Sequence, residues 1–598
     1  MVGLDSYCLA SQQIRDAIKS GKIDLNSVYF DETQIQPSSF EPVMQEDVFV
    51  LDTEKHGLFR PDRNETIYQA LLRLPKRQRR LESMGGGYEF KIGYTYLVPL
   101  EEKVKLAADE HIESSPKSTF GRTFLDTRLL GDFNPGFDEI LPTKGQDKLL
   151  DLWLLIQPQA FNLVLYAGTS VNQLKFFKGF DARLTNAELI EELKKNPMIF
   201  DRDGQAMSPD AFVTDGLLAR LDLSGKRTEG IIGLRARKNP EPIDTKKIKE
   251  YKAEDFFEPI TGNGWMTVKR VNYYLLSSKE LLKVPPHLNM ELRTHSKIGF
   301  RGPMHFAGFI DNGFQGDLVF EIRSDELSDI ELQDGLPVSK LDVYRTPLPD
   351  KLYGKDIGSN YFDQVGPKPA KFFNAFDFTH AARNYQRLNK DVLVQDAEIL
   401  NSHRTSEDGF QFMTREQADE LFNDAENGFF HNRYDCEEDE LVLQVIPYVV
   451  LFGPDENVFT YVRAADIKDF GEKRLFGKHS IGVGGHITKN DGPKNYIKNG
   501  LEREVIKEEV SIKGIYKEPV LAGTLMAYDK PVDRVHFGLV FAVHVDGSIE
   551  PKENALISGN LVPIEDLMQD PEYSNKYETW SRMLIPNLKD IYNQTISK

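Results

Sequence analysis

The chain has 598 residues, of which 40% are apolar and 28% charged, and a net charge of −19. That is the composition of a soluble globular protein too long for one core, so three or four domains are expected. The acidic balance argues against general nucleic-acid binding or a membrane-surface role, and no apolar run reaches the ~18 residues of a membrane span.

The N-terminal Met-Val-Gly-Leu-Asp-Ser-Tyr lacks the basic and apolar segments of a signal peptide. Cys8 and Cys436 are the two cysteines; they supply neither a disulfide framework nor a cysteine zinc site, and a reducing cytoplasm is the expected location. Residues 10–23 predict one short helix, with Ser11 as N-cap and Gly21 as its stop. Ile35-Gln36-Pro37-Ser38-Ser39 opens a β-rich region punctuated by Gly and Pro.

An internal repeat organises the first 375 residues. Asp151-Leu-Trp-Leu-Leu-Ile156 matches Asp317-Leu-Val-Phe-Glu-Ile322, and Leu163–Gly168 matches Ile330–Gly335. Val171–Phe176 then matches Val338–Val343. Two β-domains of one type are therefore predicted, over 1–195 and 196–375. In the first copy, Ser115-Pro-Lys-Ser-Thr-Phe-Gly-Arg122 combines two cations, hydroxyls and a glycine, which suits phosphate oxygens and equally suits an ordinary polar turn. The matching Thr294–Arg301 is looser.

The stretch from His305 to Arg323 starts as an Asp-Asn-Gly turn and ends as a strand. Leu318, Phe320 and Ile322 alternate with Val319, Glu321 and Arg323. A strand of this pattern can be half-buried, showing Glu321 and Arg323 to water, or can carry a working carboxylate. The matched residue of the first copy is Leu155, so only the second copy can use such a carboxylate.

Residues 376–440 read as a connector with a helix over 416–422 and an acidic run, Glu437-Glu-Asp-Glu440, expected to be a solvated face. A further domain over 441–598 opens with the apolar Leu441–Leu451. Ser480-Ile-Gly-Val-Gly-Gly-His-Ile487 follows, then a helix with Arg503-Glu504 and Glu508-Glu509.

Residues 10–375 resemble the tandem-repeat dCTP deaminases of bacteria. The motifs come in order: Ile35–Ser39, Lys117–Arg122, Ser278-Lys-Glu280 with Val284-Pro-Pro286, His305–Arg323, Tyr353-Gly354 with Ser359-Asn-Tyr361, Gln364, and Gly366–Phe372. The resemblance implies the β-barrel shared with trimeric dUTPases, a homo-oligomer, and a site formed between barrels. It implies a zinc-free deaminase in which Glu321 activates water and Arg323 holds it ionised or binds phosphate. Consistently, the Pro-Cys-x-x-Cys of zinc deaminases is absent, and His111-Ile-Glu113 has no cysteine pair to complete such a site.

By the same resemblance His305 and the backbone around Ala307 meet the nucleotide, and Asp311 shapes the sugar and base pocket. Lys117, Ser118, Thr119, Gly121 and Arg122 bind the triphosphate with Mg²⁺. Tyr361, Gln364, Lys368 and Lys371 belong to a segment that orders over the nucleotide or remains a solvated tail. Phe309 stands where single-barrel relatives carry a phosphate-binding arginine.

Residues 440–598 resemble a Nudix hydrolase, an α/β/α fold, with Mg²⁺ expected on Glu504, Glu508 and Glu509. The loop after Gly485 is longer than the family pattern and lacks its glutamate, and Ser511 replaces a glycine. One extra residue also separates Arg-Glu from Glu-Glu, so Glu509 lies about 140° from Glu504 on an ideal α-helix. A single π-bulge would restore the cluster; without one, the fold is retained with weak or no hydrolysis.

The expected activity is hydrolytic deamination of dCTP, or a related pyrimidine nucleotide, to dUTP and ammonia. The alternatives are a dUTPase-like pyrophosphatase and a nucleotide-sensing protein built on decayed enzymes.

Overall fold

The computed structural model describes residues 6–25, 28–52, 59–142, 148–238, 241–295, 308–323, 329–354, 356–382, 390–406, 408–437, 439–463, 477–528, 531–552, 556–570 and 573–596. The chain divides into two compact units, Met1–Ala382 and Arg383–Lys598. Both are β-rich, and no helix among the described residues is long and apolar enough to cross a membrane.

The first unit contains the repeat as matched strand pairings. In the first copy Leu150–Pro158 pairs antiparallel with Thr95–Val104, and Asn172–Lys178 pairs with Glu110–Pro116. In the second copy Val319–Arg323 pairs with Tyr273–Ser277, and Pro337–Arg345 pairs with Leu288–Thr294. Strands that match in sequence therefore hold the same partners.

Two boundaries shift. The first helix is Ser11–Lys19 with Ala10 as its N-cap; Ser11 is inside the helix, buried, and its hydroxyl donates to Asp350. Gly21 does end it, at φ +72°. The helix Asn186–Lys195, capped by Thr185, sends Leu189 and Leu193 into the core of the second copy. It belongs there and not to a first domain ending at 195.

The alternation in Val319–Arg323 is obeyed, but both faces are covered, with only Arg323 partly exposed. Phe320 and Ile322 enter the second copy's own core. Val319 enters the core of the first copy, with Leu234 and Leu275 from neighbouring strands. Glu321 lies on the Val319 side and is only 2% exposed. The half-buried reading fails because the first copy covers the face that a lone domain would show to solvent.

In the second unit the wholly buried strand Val442–Gly453 runs parallel to His536–Pro551 and antiparallel to Gly482–Gly484. The expected connector is folded into this sheet. Asp391–Asp396 pairs with both Val442–Gly453 and Phe429–Asn432, driven by burial of Val392, Leu393 and Val394. The helix between them runs Arg415–Glu426, capped by Thr414 and longer than expected. Further on, the α-helix Tyr496–Leu501 passes directly into a π-helix, Glu502–Glu509. The extra residue in the glutamate spacing is absorbed there.

Candidate active site between the two copies

A cavity of about 340 Å³ opens between the copies of the first unit. The first copy brings Lys117 and the short helix Ser118–Gly121, which follows the strand Glu110–Pro116. The second copy brings the strand Val319–Arg323 and the loop around Asp311. Tyr353, Ile357–Tyr361, Gln364 and Lys371 lie along a third side, fastened where Gly316 bridges Gln364 and where Gln364 Nε2 donates to Asp317 O at 2.5 Å.

Of the residues singled out in the sequence, Lys117, Ser118, Thr119, Arg122, Asp311, Glu321, Tyr361, Gln364 and Lys371 all line this cavity. Gly121 is buried inside the short helix behind it. Lys368 sits just outside, with Nζ donating to Asn360 O at 2.8 Å. Arg323 is absent from the lining; its Nη1 donates to Gln159 of the first copy at 2.8 Å, so it ties the copies together behind the cavity. His305 and Ala307 lie outside the described residues.

The cationic side is tightly organised. The Arg122 guanidinium stacks on Tyr361, 3.8 Å from the ring centroid, and donates to Lys368 O at 2.8 Å. Thr119 Oγ1 and Tyr361 Oη are 3.0 Å apart, and the Lys371 backbone N–H donates to the same phenol at 3.2 Å. The segment expected to be a tail or a cover is thus packed onto the Lys117–Arg122 motif. Arg122 Nε and Gln364 Oε1 are buried with no hydrogen-bond partner among the described residues. Burial, and after it repulsion from Lys117, pushes the Lys371 ammonium below its usual range. Burial and then Arg122 do the same to Lys368. Crowded, desolvated cations of this kind are relieved by an anion.

Three contributors escaped the sequence reading. Glu41 forms an ion pair with Lys117 and accepts from Gln173 Nε2 at 3.3 Å. Ser38 donates to Asp311 at 3.1 Å. Lys175, fully buried, donates to Asn289 Oδ1 and Met290 O at 2.7 Å each and lies 4.4 Å from the ring centroid of Phe309. Burial raises the Asp311 carboxyl above the usual range while Lys175 draws it back. Ser38 lies in a stretch the sequence had marked; Lys175 had no signal beyond sitting on an alternating strand.

In the second unit the π-helix changes the glutamate geometry. An i→i+5 helix turns once in more than four residues, bringing positions i, i+4 and i+5 towards one side. Arg503 Nη1 lies 2.6 Å from Glu504 and 3.5 Å from Glu508. Glu504 packs on Gly485 so closely that a Cβ there would fall 2.6 Å from its carboxyl carbon. Gly485 is needed for that approach, while Gly484 lets the strand pass close to Pro447 O. The three glutamates nevertheless do not fit a ready magnesium site. Arg503 pairs with the first two, and the charge of Glu509 acts on Tyr461 and Arg463. Among the described residues, the group of three potential ligands whose donor atoms lie within 4.8 Å of one another is Glu437, His486 and His536.

Comparison with known proteins follows the same division. Residues 5–180 match the family model of the 2'-deoxycytidine 5'-triphosphate deaminase N-terminal domain, and residues 185–373 match that of its C-terminal domain. The crystal structure of 2'-deoxycytidine 5'-triphosphate deaminase from Agrobacterium tumefaciens superposes with a TM-score of 0.52 at 25% identity, covering 58% of this chain and 100% of that one. A dCTP deaminase, dUMP-forming, of Parafrankia sp. (strain EAN1pec) is 34% identical over 114 residues, 18% of this chain and 56% of the relative. The match thus spans little more than half of that relative's length. Protein YmaB of Bacillus subtilis (strain 168) is 35% identical over 163 residues, 26% of this chain and 76% of YmaB. By its two matched domains, over residues 5–373, the chain belongs to the 2'-deoxycytidine 5'-triphosphate deaminase family.

Proposed function

We propose that the first unit deaminates dCTP by hydrolysis, without zinc, to dUTP and ammonia. One observation carries this reading: a buried carboxylate, Glu321, and the cationic set Lys117, Arg122 and Lys371 line a single cavity of about 340 Å³, within the size range of small-molecule sites. The triphosphate, entering as its magnesium complex, lies against Lys117, Ser118, Thr119, Arg122 and Lys371. The cytosine ring then lies towards Glu321 and Asp311.

Glu321 takes a proton from water as the oxygen bonds to C4 and passes it to N3. It then takes the proton of the new C4 hydroxyl and delivers it to the amine; the C4–N bond breaks with its electrons on nitrogen, ammonia leaves and the C4 carbonyl forms. The two hydrogens of water thus end on N3 and on ammonia, and Glu321 ends as the carboxylate it began as. One carboxylate serving as base and then acid supplies about 10²–10⁴-fold in rate.

Incubation of the chain with dCTP and Mg²⁺ tests the reading. Ammonia and dUTP are the expected products. Release of dUMP and pyrophosphate with ammonia would instead match the product named for the Parafrankia relative. Pyrophosphate without ammonia would make the barrels a pyrophosphatase, and binding without turnover a sensor. Glu321→Gln should cut ammonia release by about 10²–10⁴-fold while the unfolding midpoint holds; undiminished turnover sinks the assignment.

The second unit we infer to be Nudix-like, on the strength of Glu504 seated against Gly485 and the π-helix that absorbs the extra residue. No hydrolytic step is derived for it, because Glu504 and Glu508 are paired with Arg503.

A further inference from the structure

The acidic run Glu437–Glu440 was expected to be solvated, yet its first residue is drawn inward. Glu437 follows the short helix Arg433–Cys436 and accepts from Arg433 Nε at 3.1 Å. Its carboxylate also lies within 4.8 Å of ring nitrogens of both His486 and His536. The two imidazoles are 5.5 Å apart between ring centroids and meet nearly edge to face.

These three residues come from distant parts of the sequence and are set by backbone register. His536 begins the strand His536–Pro551 and pairs directly with Gln444 on Val442–Gly453. His486 follows the strand Gly482–Gly484, which pairs with Tyr448 on that same central strand. His536 stands on the sheet, His486 follows two residues after a strand of it, and Glu437 comes from the turn after the short helix.

Gln444 provides a second, independent sign. It is fully buried, its Oε1 lies 2.9 Å from His486 Nε2, and its own Nε2 has no hydrogen-bond partner among the described residues. With His486 Nε2–H donating to Gln444 Oε1, the imidazole lone pair is on Nδ1. Nδ1 is the nitrogen left over. A histidine whose far nitrogen is held by a neutral side chain is oriented as metal-bound histidines are.

We propose that Glu437, His486 and His536 bind one divalent first-row transition-metal ion through two imidazole nitrogens and one carboxylate oxygen. Two nitrogens and one carboxylate oxygen are a recurrent ligand set for zinc and iron(II), and three protein ligands leave a position for water. Ligand atoms around such an ion stand roughly 3.4 Å apart at bond lengths of about 2.1 Å, so a separation within 4.8 Å closes by small side-chain rotations. Binding draws Glu437 away from Arg433. It also fixes His486, whose backbone carbonyl accepts from Arg503 Nη2 at 3.1 Å. The ion thereby anchors the glycine-pair loop against the glutamate helix.

The test uses the untagged full chain, stripped of metal and titrated with Co²⁺, followed by visible absorption and calorimetry, with Zn²⁺ as competitor. One equivalent should bind, with the absorption of nitrogen–oxygen-ligated cobalt, and Zn²⁺ should displace it. Glu437→Gln and His536→Asn should each weaken binding at least tenfold, and Gln444→Leu should weaken it by about tenfold. Far-UV circular dichroism identifies variants that remain folded. Binding unchanged in folded Glu437→Gln overturns the proposal. So does loss of binding in Glu504→Gln with binding retained in Glu437→Gln, since the ion would then sit on the π-helix. No Co²⁺ binding to the wild-type chain overturns it as well.

Discussion

The two copies of the first unit differ most instructively at one matched strand position. In the first copy Leu155 is 3% exposed and packs with Leu71, Leu97 and Trp153 beneath the helix Ile67–Arg73. In the second copy the matched residue is Glu321, equally buried at 2%, but it fronts a cavity facing the first copy's cations. Burial alone therefore says nothing about role. What differs is the cover, an apolar helix in one case and a polar-walled cavity in the other. The first copy has an apolar cluster at this position and contributes its Lys117–Arg122 motif to the cavity that Glu321 of the second copy fronts.

The comparison breaks most sharply if the residues are exchanged. Glu321→Leu should abolish deamination beyond the Glu321→Gln loss and leave the unfolding midpoint level or raised, because a buried carboxylate is replaced by an apolar side chain; residual ammonia release at wild-type rate would dissociate the strand from the chemistry. The reverse change, Leu155→Glu, places an unpaired carboxylate under the helix Ile67–Arg73 and should cost about 3–5 kcal/mol. Chemical denaturation of the full chain measures this, and a midpoint unmoved by the change would show that the first copy has room for a carboxylate after all.

Arg122→Lys sharpens the division of labour. It keeps the charge but loses the planar stack on Tyr361, so KM for dCTP should rise about 10- to 100-fold with a smaller change in kcat; an unchanged KM would remove the first copy's motif from binding.

The last test leaves the cavity and concerns the first copy's own buried acid. Glu102 accepts from Val43 N–H and Gln34 Nε2 and is pushed up from 4.5 to about 7 by burial. A raised carboxylate stabilises the fold fully below 4.5 and loses that contribution as pH climbs through about 7. The wild-type chain should thus lose about 3 kcal/mol between these limits at this residue. Glu102→Gln should flatten that part of the pH–stability profile, and an unaltered slope would place the titration elsewhere.

Much of the fold was legible because it rests on local periodicity. The repeat, the alternation in Val319–Arg323 and the Gly21 stop need only neighbouring residues. The odd glutamate spacing left a single π-bulge as one of two alternatives, and a π-helix spans Glu502–Glu509. What escaped notice depends on distant covering. The burial of Glu321 is imposed by the first copy, and the turn of Arg323 onto Gln159 crosses the same junction. The strand Asp391–Asp396 was missed because its apolar run is short and bounded by aspartates, and only pairing with Val442–Gly453 makes it a strand. The approach of Glu437 to two histidines is invisible to any short window of sequence.

Both walls of the cavity belong to one polypeptide. The peptide link fixes their effective concentration, which for a tether of this kind stays in the millimolar range however dilute the protein becomes. Meeting of the phosphate-side cations and the acid is therefore a unimolecular event, insensitive to how much of the protein a cell makes.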